Sequence, residues 1–189
     1  MANETTEILK LLINSKQEKL SIRKISLLRK INYKSAYNAL MQLEKLGIVN
    51  LDKLGNNTSC SFNEKFNEFV FKAEYERRER LFKNKEFKVI QNRLAELNFV
   101  FAVLLFGSQA KGTATKNSDI DILTIGGEEK EIRNALHLWE DKIHLTHITS
   151  EDFVRMAKSR EFNVVNEAIK NNIILIGIEE YYRLLNNAR

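Results

Sequence analysis

Residues 104–123 read LLFGSQAKGTATKNSDIDIL, and the fold of the C-terminal half turns on them. The apolar run at 99–106 suits a buried strand. It stops at Gly107-Ser108, and after ten intervening residues comes Asp119-Ile120-Asp121-Ile122-Leu123, which opens a second strand. Strand alternation puts Asp119 and Asp121 on one face, about 7 Å apart. Two carboxylates at that spacing suit one or two Mg²⁺ (or Mn²⁺) ions, which take hard oxygen ligands and accept phosphate oxygens as the rest of the shell. Gly107 lets a phosphate approach the backbone, Ser108 adds a hydroxyl and an N–H, and Lys111 adds charge toward a triphosphate. These residues point to metal-assisted nucleotidyl transfer. A Gly-Ser turn alone, or two surface aspartates alone, would carry no such meaning.

The arrangement G-S-x10-D-x-D between two strands resembles the DNA polymerase β-like nucleotidyltransferase superfamily, in particular its minimal nucleotidyltransferase branch. The ending NEAIKNNIILIGIEEYYRLL (residues 166–185) is similar to the close of such chains. The resemblance runs from about residue 86 to the C-terminus. It implies an α/β (α+β) domain with a mixed sheet, ATP or another NTP as substrate, β/γ-phosphates held at Gly107 and Ser108, and metal held by Asp119 and Asp121. Minimal nucleotidyltransferases often act as antitoxins that modify a partner protein, so a protein or RNA acceptor is expected. Active members also carry a third carboxylate on a later strand. Here that strand reads Ile143-His144-Leu145-Thr146-His147-Ile148, and the aligned position is His144. A histidine there can serve as a base near neutral pH, yet it is a poor Mg²⁺ ligand. Transfer is therefore expected to be slow, to use another acid, or to be absent. Asp119, Asp121 and His144 form the catalytic set, and a histidine merely hydrogen-bonded on its strand is the plainer alternative.

Around this domain the periodicity predicts helices over residues 86–97, 128–139, 151–159 (capped by Ser150), 161–171 and 179–187, with a short strand at 173–176.

The N-terminal half differs in charge. Residues 1–98 carry a net +7 and residues 99–189 a net −2, within an overall +5. From Lys19 to Leu43 there is no acid, while Lys19, Arg23, Lys24, Arg29, Lys30 and Lys34 supply cations. Such asymmetry suits a polyanion partner, although a solvated helix face would read the same way. Helices are expected over residues 4–15, 22–30 (Ser21 as cap; Ile22, Ile25 and Leu28 inward) and 34–46 (Ala36, Ala39, Leu40, Leu43 and Leu46 inward). Gly47 should end the third, and a hairpin should follow at 48–54 and 58–62 around Gly55-Asn56-Asn57. The stretch SIRKISLLRKINYKSAYNALMQLEKLGIVN (residues 21–50) resembles a winged helix-turn-helix. Such modules place the third helix in the major groove and the hairpin on the backbone. That resemblance implies double-stranded DNA as partner, met by Arg29, Lys34, Ser35, Tyr37, Asn38 and Lys53, with Asn56 near the tip. Winged helices also serve as protein-interaction modules.

The expected organisation is therefore a winged helix-turn-helix domain at 1–62, a helical connector at 63–85 broken near Lys83-Asn84-Lys85, and the nucleotidyltransferase domain at 86–189. Phe66, Phe69 and Phe71 on the connector suit a homodimer interface. No apolar run approaches the roughly 20 residues of a membrane span, and no secretory signal is visible. A lone Cys60 excludes an intrachain disulfide framework. The expected setting is a prokaryotic cytoplasm, away from membranes. There is no proline, where average usage of about 5% applies. Codon bias in a chain crowded with Lys, Asn and Ile accounts for it, and any joint must then be Gly, polar loop or helix.

Overall fold

In the computed structural model, residues 2–16, 18–55, 57–159 and 161–188 are described. Asn56, expected at the hairpin tip, lies outside them. The chain divides into two compact units between Tyr75 and Glu76.

The first unit runs α1 (Ala2–Asn14), β1 (Leu20–Ser21), α2 (Ile22–Arg29), α3 (Tyr33–Lys45), β2 (Val49–Leu54) and β3 (Asn57–Phe62). The caps follow local chemistry. Ser21 Oγ accepts from the Lys24 N–H at 3.1 Å and Asn32 Oδ1 from the Ser35 N–H at 2.8 Å. Lys30 closes α2 in the left-handed conformation, φ 55°, and Gly47 follows α3 with φ +65°. Ile8, Leu12, Ile25, Ala36, Leu40, Leu43 and Cys60 are buried among these elements. Two inward expectations fail. Leu28 is 48% exposed and Leu46 45% exposed, because α2 turns Ser26 rather than Leu28 inward and α3 has already ended at Lys45. The hairpin of β2 and β3 is joined by β1, which pairs antiparallel with β3 to give the order β1-β3-β2. At two residues β1 is too short to carry a periodicity in the sequence.

Helix α4 (Glu68–Leu81) crosses the division, and α5 (Lys85–Ala95) begins after Asn84, whose side chain accepts from the Glu86 N–H. The second unit continues β4 (Ala102–Leu105), α6 (Gly107–Lys111), β5 (Ile120–Ile125), α7 (Glu129–Leu136), a 3₁₀ turn (His137–Trp139), β6 (Ile143–Ile148), α8 (Ser150–Lys158), α9 (Val164–Lys170), β7 (Ile173–Ile176) and α10 (Ile178–Asn187). Its four-stranded sheet is mixed, in the order β6-β5-β4-β7. β4 pairs antiparallel with β5 and β7, while β5 and β6 run parallel.

Alternation sorts the side chains of this sheet. Val103, Leu105, Ile120, Ile122 and Leu175 join Phe87, Ile90 and Leu94 of α5 and Ile132 and Leu136 of α7 in one core. Asp121 lies between Ile120 and Ile122, so it is committed to the other face; His144, between Ile143 and Leu145, goes with it. Phe153 of α8 and Tyr181 and Tyr182 of α10 are fully buried, with Phe153 and Tyr181 edge to face at 6.1 Å. The two tyrosines are core. On α4, Arg77 is buried and its Nη2 donates to the Asn172 carbonyl at 2.6 Å, so the charge is spent on a backbone acceptor at the start of β7.

Several boundaries shift. β4 starts at Ala102 rather than near 99, and β5 starts at Ile120, leaving Asp119 just before it. Thr149 rather than Ser150 caps α8, accepting from the Asp152 N–H at 3.0 Å. α9 begins at Val164, after the Asn163 cap.

Candidate active site

The site is built where β4 ends. Phe106 keeps an extended backbone, and its N–H donates to the Asp121 carbonyl at 3.0 Å, tying the turn to β5. Gly107 then takes φ +65°. A β-carbon here would lie 2.1 Å from Asp121 Oδ2, well inside any van der Waals contact. Glycine is thus demanded twice, by the left-handed backbone and by the carboxylate over it. Gly112, φ 71°, ends α6 after Lys111.

The loop that returns to β5 is braced by residues the motif does not mention. The Thr115 N–H donates to Ser118 Oγ at 2.9 Å, and the Ser118 N–H to the Thr115 carbonyl at 3.2 Å. Gln109 Nε2 reaches the Ser118 carbonyl at 3.5 Å. This brace delivers Asp119, exposed, at the mouth of the strand, with Asp121 beside it and 28% exposed. The sequence signal for the brace is the Thr/Ser/Asn-rich composition of 113–118, a turn signature rather than a site signature.

In the parallel pairing of β5 with β6, Asp121 stands opposite His144. His144 Nδ1 is 3.6 Å from Asp121 Oδ1, and its ring is 74% exposed. The register therefore sets the histidine directly beside the metal-binding carboxylate candidate. His147 is spent elsewhere: its Nδ1 is 3.0 Å from the buried Thr124 hydroxyl.

Gly107, Ser108, Asp121 and His144 are thus brought together, with Asp119 adjoining. Lys111 Nζ lies 3.9 Å from Glu167 of α9, so a triphosphate would compete with that exposed pair for the ammonium group. Among the described residues no three His, Cys, Asp or Glu side chains form a ready metal cage. The donors still fit a divalent ion: Asp121 presents Oδ1 away from Gly107, Asp119 is open, and hard cations accept water and phosphate oxygens in the remaining positions. A groove of about 600 Å³ lined by Ser150, Glu151, Arg155, Lys158 and Arg183 includes none of these residues.

In the first unit, Lys34, Ser35, Tyr37 and Asn38 are all exposed on α3, and Lys53 is exposed on β2. Tyr33 and Tyr37 stack with ring centroids 6.4 Å apart. Arg29 is ion-paired within the unit. Its guanidinium is held by Glu4 at 3.0 Å and Glu7 at 3.4 Å on α1 and is 28% exposed. It braces α1 against α2. Lys19 likewise pairs with Asp52 at 2.7 Å.

Residues 88–181 match the family model described as Polymerase beta, Nucleotidyltransferase. The matched stretch encloses the Gly107 turn, both aspartates and His144, and supports a nucleotidyltransferase-like second unit. No curated protein and no solved structure matches the chain. No described helix is long and apolar enough to cross a membrane.

Proposed function

We propose that the protein binds a metal–NTP complex at the Gly107 turn and transfers the nucleoside monophosphate to a macromolecular acceptor, protein or RNA, with its first unit acting as a winged helix-turn-helix on double-stranded DNA. The interlock of Gly107 with Asp121 carries the transferase reading. A turn that only glycine can occupy, beneath a carboxylate, costs backbone freedom with no gain in packing, and phosphate approach gives it a purpose.

In this account the Gly107–Ser108 backbone and the Ser108 hydroxyl orient the β- and γ-phosphates. Asp119 and Asp121 would hold Mg²⁺ or Mn²⁺, which when bound neutralises phosphate charge and polarises the α-phosphate. The acceptor hydroxyl attacks the α-phosphorus, the bond to pyrophosphate breaks, and pyrophosphate leaves. His144, open to solvent beside Asp121, is placed to take the hydroxyl proton. An acceptor on a partner protein would make the chain an antitoxin-like modifier.

The test is incubation of the full chain with labelled ATP and cell lysate. Label on a specific protein or RNA, lost with Asp121→Asn, supports transfer. A second reading is favoured by the imidazole where active relatives carry a carboxylate: a DNA-binding regulator whose second unit senses nucleotide without turnover. Nucleotide binding with no label transferred selects that reading.

A further inference from the structure

We infer that Asp121 and His144 form a mixed oxygen–nitrogen half-site that favours a divalent transition ion, Mn²⁺ first, over Mg²⁺; the inference rests on the nucleotide-binding reading above. Two donors bound to one ion at about 2.1 Å lie roughly 3.0 Å apart in an octahedron and 3.4 Å apart in a tetrahedron. Asp121 Oδ1 and His144 Nδ1 are 3.6 Å apart, so a small rotation of the exposed ring brings both onto one ion. The strand register holds the pair together, and the missing β-carbon of Gly107 leaves the room that the Asp121 carboxylate occupies.

The donor types decide the preference. A carboxylate at position 144 would give the site another full negative charge and a hard oxygen, the combination Mg²⁺ needs. A neutral imidazole gives neither. Mg²⁺ loses both charge and ligand hardness, whereas transition ions bind imidazole well. No other described His, Cys, Asp or Glu completes a three-ligand group here. The shell must then be finished by water and phosphate oxygens, so ion and nucleotide should bind together.

The experiment uses the full chain with a non-hydrolysable ATP analogue, titrated with MnCl₂ or MgCl₂. Binding is followed by calorimetry, and bound Mn²⁺ by electron paramagnetic resonance. Mn²⁺ binds more tightly than Mg²⁺ at most sites, so the informative quantity is the ratio of the two affinities compared with that in His144→Asp. We expect the wild-type ratio to exceed the variant's by about tenfold or more. A ¹⁴N coupling on the Mn²⁺ signal should disappear in His144→Asp and His144→Ala alike. Equal ratios and no nitrogen coupling, with nucleotide still bound, would overturn the metal preference and leave the nucleotide site standing. Absence of nucleotide binding with either ion would overturn both. Position 144 is exposed, so neither variant should disturb the fold.

Discussion

The carboxylate of Asp121 fills the space that a β-carbon on Gly107 would need, with Oδ2 2.1 Å from that position. Two strands, a turn and the candidate nucleotide site are locked by this one relationship, and it sets the first expectation. Gly107→Ala must adopt φ +65° and also push Asp121 aside. It should cost about 1–3 kcal/mol of stability and eliminate the rise in melting temperature given by ATP with a divalent ion. A variant that keeps both would remove the reason for glycine at 107.

The two aspartates should separate by their surroundings. Asp119 is exposed ahead of β5, so Asp119→Ala should change unfolding free energy by no more than about 0.5 kcal/mol. Asp121→Asn keeps shape but loses charge. Each should weaken metal–nucleotide binding by tenfold or more in a fluorescence titration, and normal binding by either would move the metal site elsewhere.

Contacts with DNA should divide the basic residues into two groups. Lys34 is exposed on α3 and forms no ion pair among the described residues. Lys34→Ala should lower affinity on any sequence and reduce the log–log salt slope by about 1. Arg29 is engaged by Glu4 and Glu7, so Arg29→Ala should lower the melting temperature and leave the salt slope alone. Salt-independent affinity in the wild type would mark the first unit as a protein adaptor.

Cys60 supplies a pH test of the first unit. Burial first, then the charges of Glu44 and Asp52, push its thiol from 9.0 up to about 12. Between these values the folded thiol keeps its proton while the unfolded one releases it. The unfolded state then binds fewer protons, and stability falls as pH rises through that window. Below pH 9 the effect is absent. Chemical unfolding from pH 8 to 11 should show a loss in the wild type beyond that of Cys60→Ala, and native protein at pH 8 should resist thiol reagents. A thiol that reacts quickly in the native chain would contradict the burial.

What the sequence disclosed follows from the range of each interaction. The strands at 143–148 and 173–176 carry their own apolar patterns and lie where pattern alone puts them. Ser21 and Gly47 act as local stop and start signals. The Gly107-Ser108 and Asp119/Asp121 spacing was readable because turn and strand geometry are local. Missing were the long-range partners. Glu4 reaches Arg29 across 25 residues, Glu167 meets Lys111, and β1 exists only because β3 pairs with it. Leu28 reads as core on a helical wheel, yet α2 turns Ile22, Ile25 and Ser26 inward and leaves it outside. That His144 stands opposite Asp121 is likewise a matter of strand register, which neither strand's own pattern fixes.

The most direct measurement is calorimetric titration of a non-hydrolysable ATP analogue, with a divalent ion present, into the full chain and into Asp121→Asn. The account predicts one saturable site per chain in the wild type, dependent on the ion and lost in the variant. Equal binding by both proteins, or none by the wild type, would contradict it.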